Sequence, residues 1–364
     1  MSFLMFIQAS HLMKKFTIPN DLLTSYKTPY FTSGFVRHNG TDCTFTTSES
    51  WVILNPIEQS IKRKIEAVGT PLKDWDIQIN YGIKTGCNEA FIIDEAKRAE
   101  LIAADPKSVE IIRPILRGRD IKRYGYEWAH LYLIATFPSR HYDIEQYPAV
   151  KNYLLTFDKQ RLLDSGLEEI ANSDALLRDF CHQRLEQSGK DIILNGHKVI
   201  IEGKVQKARK KTGNKWFETQ DQIGYWEDFS LPKIIYPNMT KYLPFLLDKM
   251  KFTTNQKCFI ITGKHLGYLT AFLNSSLFKY CYRDSFPELQ AGTRELSKIF
   301  FDKLAVAEVT DKQNAEFEEL VGKIQDLPAN AERRYLEKLV DNMIFKIHGL
   351  SEDESRQIGF FEIV

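Results

Sequence analysis

Hydrophobic residues recur at helical spacing in several separate parts of the chain. The clearest case is residues 54–68, where an isoleucine recurs every four residues after the pair Asn55-Pro56. An asparagine N-cap followed by a proline in the first turn is a typical start for an amphipathic helix. The same spacing predicts helices over residues 148–163, 264–278, 314–327 and 331–348. The last two meet around Pro328 and each has an apolar side, which predicts a C-terminal helical hairpin.

Short apolar stretches with strand character alternate with these helices. Alternation at Trp75, Ile77 and Ile79 predicts one strand, and three more are predicted over residues 90–93, 130–136 and 296–306. Asn-Gly pairs at positions 39–40 and 195–196 predict hairpin turns. We therefore expect an α+β (mixed α/β) fold, a twisted mixed sheet with packed helices. The expected parts are a strand- and turn-rich segment (1–50), a main domain (51–305) and the helical hairpin (306–364).

Composition narrows the class of protein. The 364 residues are 43% hydrophobic and 27% charged, as in an ordinary globular protein, and the formal net charge is only +1. This balance excludes a uniformly polybasic nucleic-acid binder, so such a surface would have to be a local basic face. The five cysteines form no CxxC pair, which argues against a zinc site or a disulfide framework. With no signal peptide or membrane-spanning stretch evident, we expect a cytoplasmic protein with no membrane partner.

Two basic segments carry groups that suit phosphate oxygens or a guanine edge. They are residues 113–123 and 204–215, and the second has no acid within it. The candidate contacts are Arg117, Arg119, Lys122, Lys207, Arg209, Lys210, Lys211 and Lys215. A second interpretation stands beside the first: Asp120 and neighbouring acids neutralise the first segment through surface ion pairs.

The stretch 213–262 contains polar side chains that no helix or strand period explains. Because Asn and Gln pair well with adenine and Lys with guanine, we predict that these residues read base edges. They are Gln220, Asn238, Asn255, Gln256 and Lys257, and Thr240 and Lys241 of the same stretch are further candidate DNA contacts. The alternative is that Asn238 and Asn255 hold turns. The aromatic residues of the same stretch, Trp216, Trp226 and Phe229, are expected to build the core rather than stack on bases.

A glycine-containing turn offers one further phosphate candidate. Lys84 and Thr85 lie between Gly82 and Gly86, where backbone N–H groups can face an anion. The spacing is not that of a Walker A loop, and a plain hairpin turn is the alternative.

A metal-dependent nuclease pattern also occurs in the chain. Asp191 is followed by Glu202-x-Lys204, the order in which carboxylates hold a divalent ion and a lysine supports the attacking water. Any strand that ends in a charged turn supplies the same letters, so a nuclease is kept as an alternative.

Several segments together resemble a known family, the TaqI-like C-terminal specificity domain. They are, in chain order, TPLKDWDIQINYGIKTGCNEAFIID, IIRPILRGRDIKRY, GNKWFETQDQIGYWEDFSLPKIIYPNMTKYLPF, TNQKCFIITG and LEKLVDNMIFKIHGLSEDE. The resemblance runs from about Trp51 to the end of the chain. It implies the target-recognition part of type IIG restriction–modification enzymes and related adenine-N6 DNA methyltransferases, in which an upstream domain flips and methylates an adenine. The helical hairpin is, in family terms, a spacer that docks on the catalytic domain or a partner, and its apolar side equally suits a dimerisation element.

The sequence departs from the full enzymes in one important respect. It has no Asn/Asp-Pro-Pro-Tyr/Phe loop, the nearest match being Asn55-Pro56-Ile57, and no glycine-rich loop for S-adenosylmethionine. The resemblance therefore implies a recognition module that is itself non-catalytic, with double-stranded DNA and a methyltransferase or nuclease domain or subunit as partners. S-adenosylmethionine and Mg²⁺ are expected only in that catalytic part, and no cofactor in this chain. Two alternatives stay open: a nuclease or fragment of a bifunctional type IIG enzyme, and an inactive remnant.

Overall fold

The computed structural model describes residues 55–164, 166–181, 213–282 and 286–360, together with the backbone of eight short strands outside these ranges. The helices are α1 Pro56–Val68, α2 Asn88–Phe91, α3 Glu95–Ala104, α4 Pro148–Asp164, α5 Glu168–Ala171, α6 Asp174–Cys181, α7 Leu266–Leu273, α8 Ser276–Tyr282, α9 Lys298–Phe301, α10 Asp311–Asp326, α11 Ala331–Ile347 and α12 Glu352–Ile358. In the described part of the chain, no helix combines the length and apolarity needed to cross a bilayer.

The strands are β1 Phe3–Ala9, β2 Leu12–Ile18, β3 Thr41–Cys43, β4 Gly69–Pro71, β5 Ile77–Tyr81, β6 Ile92–Asp94, β7 Ile112–Leu116, β8 Ile121–Lys122, β9 Gly125–Tyr126, β10 Leu131–Ile134, β11 Glu186–Ser188, β12 Asp191–Leu194, β13 His197–Lys198, β14 Ile200–Ile201, β15 Lys204–Val205, β16 Lys233–Pro237, β17 Met239–Thr240, β18 Leu246–Asp248, β19 Thr253–Thr254, β20 Cys258–Gly263, β21 Arg294–Glu295 and β22 Ala305–Ala307. Helices and short strands are thus interleaved along the chain, which confirms the predicted α+β class.

Two four-stranded sheets form the centre of the molecule. Sheet A has the order β19-β7-β10-β6, with β19 parallel to β7 and the other pairs antiparallel. Sheet B has the order β18-β16-β20-β5 and is antiparallel throughout. In sheet B, Ile234 of β16 lies opposite Leu247 of β18 and Ile261 of β20.

Sheet B is buried on both faces. Successive side chains of a strand point to opposite sides, and here each set enters a different core. Ile234 and Tyr236 belong to a core shared with α7, α10 and α11, whereas Ile235 belongs to a second core shared with sheet A. All five residues of β16 are buried. The resulting order of layers is sheet A, sheet B and then helices, which explains why β16 and β20 are nearly continuous apolar runs.

The C-terminal helices form the predicted hairpin. Thr310 closes a capping box with Gln313 at the start of α10, and the Asn330 side chain caps α11 by accepting from the Arg333 N–H. Helix α10 packs closely on α7 at Gly267, where an added Cβ would lie 2.5 Å from the Glu318 Cβ. Phe317, Val321 and Ile324 of α10 are each fully buried in the core shared with sheet B.

Four sequence interpretations of local structure were wrong in whole or in part. The helix predicted over 264–278 breaks at Asn274, because that side chain bonds the Phe245 backbone and the polypeptide turns there. Residues 90–93 begin as the last turn of α2, and residues 298–301 form α9 where a strand was predicted. The glycine-containing turn at 82–86 is not a hairpin turn, since it carries the chain from β5 of sheet B towards β6 of sheet A.

Candidate nucleic-acid interface

The polar loops singled out by sequence meet in space through backbone hydrogen bonds. The N–H of Asn255 donates to the carbonyl of Leu116 (3.3 Å), and the N–H of Gln256 donates to the carbonyl of Ile83 (2.9 Å). The N–H of Asn238 donates to the carbonyl of Lys257 (2.8 Å). Four segments far apart in sequence, ending near residues 83, 116, 238 and 256, therefore form one surface.

Two glycines allow this convergence. A Cβ added to Gly82 would lie 1.9 Å from the carbonyl oxygen of Asn255, and one added to Gly118 would lie 3.0 Å from that of Lys257. The N–H groups of Gly82 and Ile83 donate to the carbonyls of Cys258 and Thr254, respectively, so both already have a partner within the protein. The close approach of backbones, and not an anion cradle at these two amides, explains the glycine at position 82.

A large open cleft of about 2020 Å³ runs between these loops and the helical hairpin. Its lining includes ten Lys or Arg residues and five Asp or Glu residues, an excess of five positive charges in a chain whose formal net charge is +1. The predicted contact residues that line it are Arg117, Arg119, Lys122, Thr240, Lys241 and Asn255. The cleft is therefore a local basic face, the form that a nucleic-acid surface would have to take in a chain of nearly neutral net charge.

The basic residues of the first segment differ in whether an acidic side chain already binds their charged groups. The Arg117 guanidinium is held by both carboxylate oxygens of Asp120, with Nη2–Oδ1 at 2.8 Å and Nε–Oδ2 at 3.0 Å. Lys122 pairs with Glu127 at 3.3 Å on an exposed surface, where such pairs contribute little. The ion-pair interpretation thus describes Arg117 well, whereas the exposed Arg119 side chain has no hydrogen bond or ion pair within the described residues.

Two exposed lysines of the cleft resemble Arg119 in this respect. The ammonium groups of Lys241 and Lys257 make no hydrogen bond or ion pair with any residue that the structure describes. Lys241 lies on a loop in which the Tyr242 N–H donates to the Thr240 Oγ1 (3.0 Å) and Leu243 turns inward with a φ of 50°. This turn buries Leu243 and leaves Lys241 and Tyr242 exposed at the cleft.

Arg123 plays a different role from its neighbours in the basic segment. It forms an ion pair with Glu337 of α11 and donates to the carbonyl of Asn274 from Nε (3.2 Å) and Nη2 (2.9 Å). Arg333 completes the network by donating to the Arg123 carbonyl (2.7 Å) and to Glu337 Oε1 (3.1 Å). The network links the β8–β9 segment to the helical hairpin and so joins the two walls of the cleft.

Behind this network lies a buried lysine. Lys279 is 9% exposed, and its ammonium has no hydrogen-bond partner within the described residues. Burial lowers the pKa of Lys279 to about 6, and the positive charge of Arg123 acts in the same direction. The carboxylates of Asp341 and Glu337 oppose this shift only partly.

The other predicted contacts lie outside the cleft lining. Thr85 is 3% exposed and its Oγ1 donates to Asn88 Oδ1 (2.7 Å), while Lys84 beside it is exposed. The Gln220 N–H donates to the Thr85 carbonyl (3.2 Å), which places Gln220 beside this turn. Lys215 is exposed, with its ammonium 5.6 Å from the centre of the Phe217 ring.

The three amide side chains of the turns differ in what they bond. Asn255 Oδ1 accepts from the Lys257 N–H (3.2 Å), the turn-holding role considered as its alternative. Asn238 Oδ1 is buried without a partner among the described residues. Gln256 is exposed, and within the described part of the chain its carboxamide bonds nothing. A role for each of these residues in base contact stays a prediction.

Phe229 is buried in the core, as predicted, and Trp216 and Trp226 are half-buried against it. The indole of Trp226 is covered by the Arg140 guanidinium at 3.7 Å from the ring centre. Sequence reasoning missed the exposed Tyr126 and Tyr242 in the cleft. It also missed Arg334 and Lys338 of α11, for which the only signal is two basic residues four apart on one helix face.

Only parts of the second basic segment and of the nuclease pattern fall within the described residues. Lys207, Arg209, Lys210, Lys211 and Glu202 lie outside the described residues. Strands β12 and β13 pair as a hairpin with Leu194 opposite His197, and the predicted turn residues Asn195 and Gly196 between them lie outside the described residues. Asp191 and Lys204 belong to two different small sheets, and the described residues contain no group of three His, Cys, Asp or Glu side chains placed to hold a metal ion.

Comparison with known proteins places this fold in a family. Among curated proteins no match was found. Two solved structures are similar at 11% sequence identity and a TM-score of 0.45: the type IIG restriction endonuclease BpuSI, with 80% of this chain and 33% of that chain covered, and the type IIL restriction–modification enzyme MmeI in complex with DNA, with 79% and 35% covered. The chain thus spans about a third of the length of each. The model of the TaqI-like C-terminal specificity domain matches residues 113–306, more than half of the 364 residues, and the chain belongs to that family.

Proposed function

We propose that this chain is the sequence-specific, double-stranded DNA recognition module of a restriction–modification system and has no chemistry of its own. Membership of the specificity-domain family supports this proposal. The single observation that carries it is the cleft, in which Arg119, Lys241 and Lys257 present cations that no described residue neutralises.

The proposed division of labour follows the two kinds of contact that DNA recognition needs. Cations bind phosphates and fix the register of the duplex, whereas base edges are read by directed donors and acceptors. Arg119 and Lys241 suit the first task, because each is exposed and uncommitted within the described residues. Gln256 and Lys257, adjacent on the turn between β19 and β20, suit the second.

The catalytic partner is proposed to be a methyltransferase or nuclease domain or subunit, which binds S-adenosylmethionine and Mg²⁺. This chain contributes target choice, and it acts in the cytoplasm, where the complete system meets DNA.

The test is duplex binding as a function of salt. The triple variant Arg119→Gln, Lys241→Gln, Lys257→Gln is compared with the wild type and with a control, Lys303→Gln, Lys312→Gln, Lys346→Gln, whose exposed lysines lie outside the cleft lining. Each lost phosphate contact reduces the magnitude of the slope of log K against log salt by about 0.9, so the loss of Arg119 and Lys241 is expected to reduce it by about 2 in the cleft variant alone. Equal slopes and affinities in all three proteins would contradict the proposal.

A further inference from the structure

We infer that the helical hairpin α10–α11 is a DNA-contacting wall of the cleft, and that Arg334 and Lys338 of α11 bind phosphates of the same duplex that the loops read. The inference rests on the proposed function and adds a role for the hairpin beyond docking on a catalytic part. It concerns residues outside the matched family segment 113–306.

The charges on this wall favour an anionic partner. Arg334 and Lys338 line the cleft, are exposed, and are four residues apart on α11, so they project from the same side of the helix. The hairpin contributes three acids to the cleft lining, Asp326 of α10 and Glu337 and Asp341 of α11. The two on α11 are already engaged: Glu337 is bound by two arginines, and the buried Asp341 accepts from the Ser276 N–H (2.8 Å) and hydroxyl (2.6 Å).

Both walls are held in a fixed relation to each other. The Arg123 backbone and side chain are bound by Arg333, Glu337 and Asn274. On the other helix, the carboxamide of Gln325 bonds both backbone groups of Leu247 in sheet B. The basic residues of α11 therefore sit at a set position relative to Arg119 and Lys241, and a pre-formed site loses less entropy when it binds.

Lys338 also makes a contact that orients it without neutralising it. Its ammonium lies 5.7 Å from the centre of the Phe360 ring, and Phe360 itself lines the cleft and is 43% exposed. A cation placed over an aromatic face keeps its full charge, so it remains available to a phosphate.

Phosphate contacts make a specific prediction about sequence dependence. The variant Arg334→Gln, Lys338→Gln is expected to weaken binding by the same factor for preferred and unrelated duplexes. It should also reduce the magnitude of the slope of log K against log salt by about 2. Charge reversal, Arg334→Glu with Lys338→Glu, is expected to weaken binding further, on the order of tenfold at low salt. The control is Lys312→Gln, Lys346→Gln, two exposed lysines of the same hairpin outside the cleft lining.

The experiment measures fluorescence anisotropy of labelled duplexes at four salt concentrations, with thermal unfolding confirming that each variant folds. If the double variant is unstable, Lys338→Gln alone is used and a slope change of about 1 is expected. If the wild type binds duplex and the hairpin variant has the same affinity and salt slope as its control, this inference is overturned. The proposed function then stands, and the hairpin is assigned to protein contact. Absence of duplex binding by the wild type overturns both.

Discussion

The carboxamide of Gln325 pairs with both backbone groups of Leu247. Its Nε2 donates to the Leu247 carbonyl at 3.0 Å, and its Oε1 accepts from the Leu247 N–H at 3.0 Å. Asn274 does the same for Phe245, at 2.8 and 3.2 Å. Strand β18 is at the edge of sheet B, so these two side chains cover backbone groups that another strand would otherwise bond.

Gln325→Ala is expected to lower the free energy of unfolding by about 1–3 kcal/mol, because it removes the partners of two backbone groups. Lys323→Ala, an exposed position on the same helix, is the control and should change stability by less than about 0.5 kcal/mol. Urea unfolding measures both. Equal stability of the two variants would show that the Gln325 pairing contributes nothing beyond what water supplies.

Gly82→Ala is expected to destabilise the fold by about 1–3 kcal/mol, because the new Cβ would overlap the Asn255 carbonyl and push the β19–β20 turn outward. The same change should weaken duplex binding, since Gln256 and Lys257 lie on that turn. Gly322→Ala, in α10 with open space around it, is the control and should stabilise the protein by about 0.5–1 kcal/mol. A neutral Gly82→Ala would contradict the account of loop convergence.

How far sequence predicts this molecule depends on whether the signal is local. Helices α1 and α11 follow from periodicity and caps that lie within each segment, and Asn55 and Asn330 cap them as such patterns require. The break at Asn274 is invisible in sequence, because the apolar run continues through it and the cause is a bond to Phe245. Tertiary packing decides such positions.

The candidate site shows the same limit. Residues of the cleft were recognised where charge is locally dense, as at Arg117 and Arg119, but sequence does not show that Asp120 holds the first and leaves the second uncommitted within the described residues. Thr85 is polar in sequence yet 3% exposed. The hairpin side of the cleft comes from more than sixty residues further along the chain than the loops, and only the shared core with sheet B brings it there.

Stability should rise with pH because of Lys279. Its pKa is lowered from 10.5 to about 6 in the folded protein, so between those values the unfolded chain binds a proton that the folded chain does not. The free energy of unfolding is therefore expected to increase from pH 6 towards pH 10 through this group. Lys279→Met should remove that contribution and stabilise the protein at pH 7 by about 1–4 kcal/mol. An unchanged pH profile in the variant would contradict the assignment.

Gln256→Ala is expected to relax sequence preference without a large loss of non-specific binding. A carboxamide that reads one base contributes about 1–3 kcal/mol of discrimination and no counterion release. Competition between the preferred duplex and single-base variants measures this, and the salt slope should stay at the wild-type value. Gln222→Ala is the control, because this exposed glutamine lies on a segment that does not line the cleft, whereas Asn255 and Lys257 on either side of Gln256 do. Loss of affinity for all duplexes alike would assign Gln256 to phosphate contact.

The proposed recognition role requires that this chain by itself prefer one DNA sequence over others. Selection from a random pool of double-stranded DNA at low salt measures that preference. We expect the wild-type chain to enrich one motif, and the Arg119, Lys241, Lys257 triple variant to retain far less DNA under the same conditions. A chain that retains no duplex, or retains duplexes without enriching any motif, would contradict it.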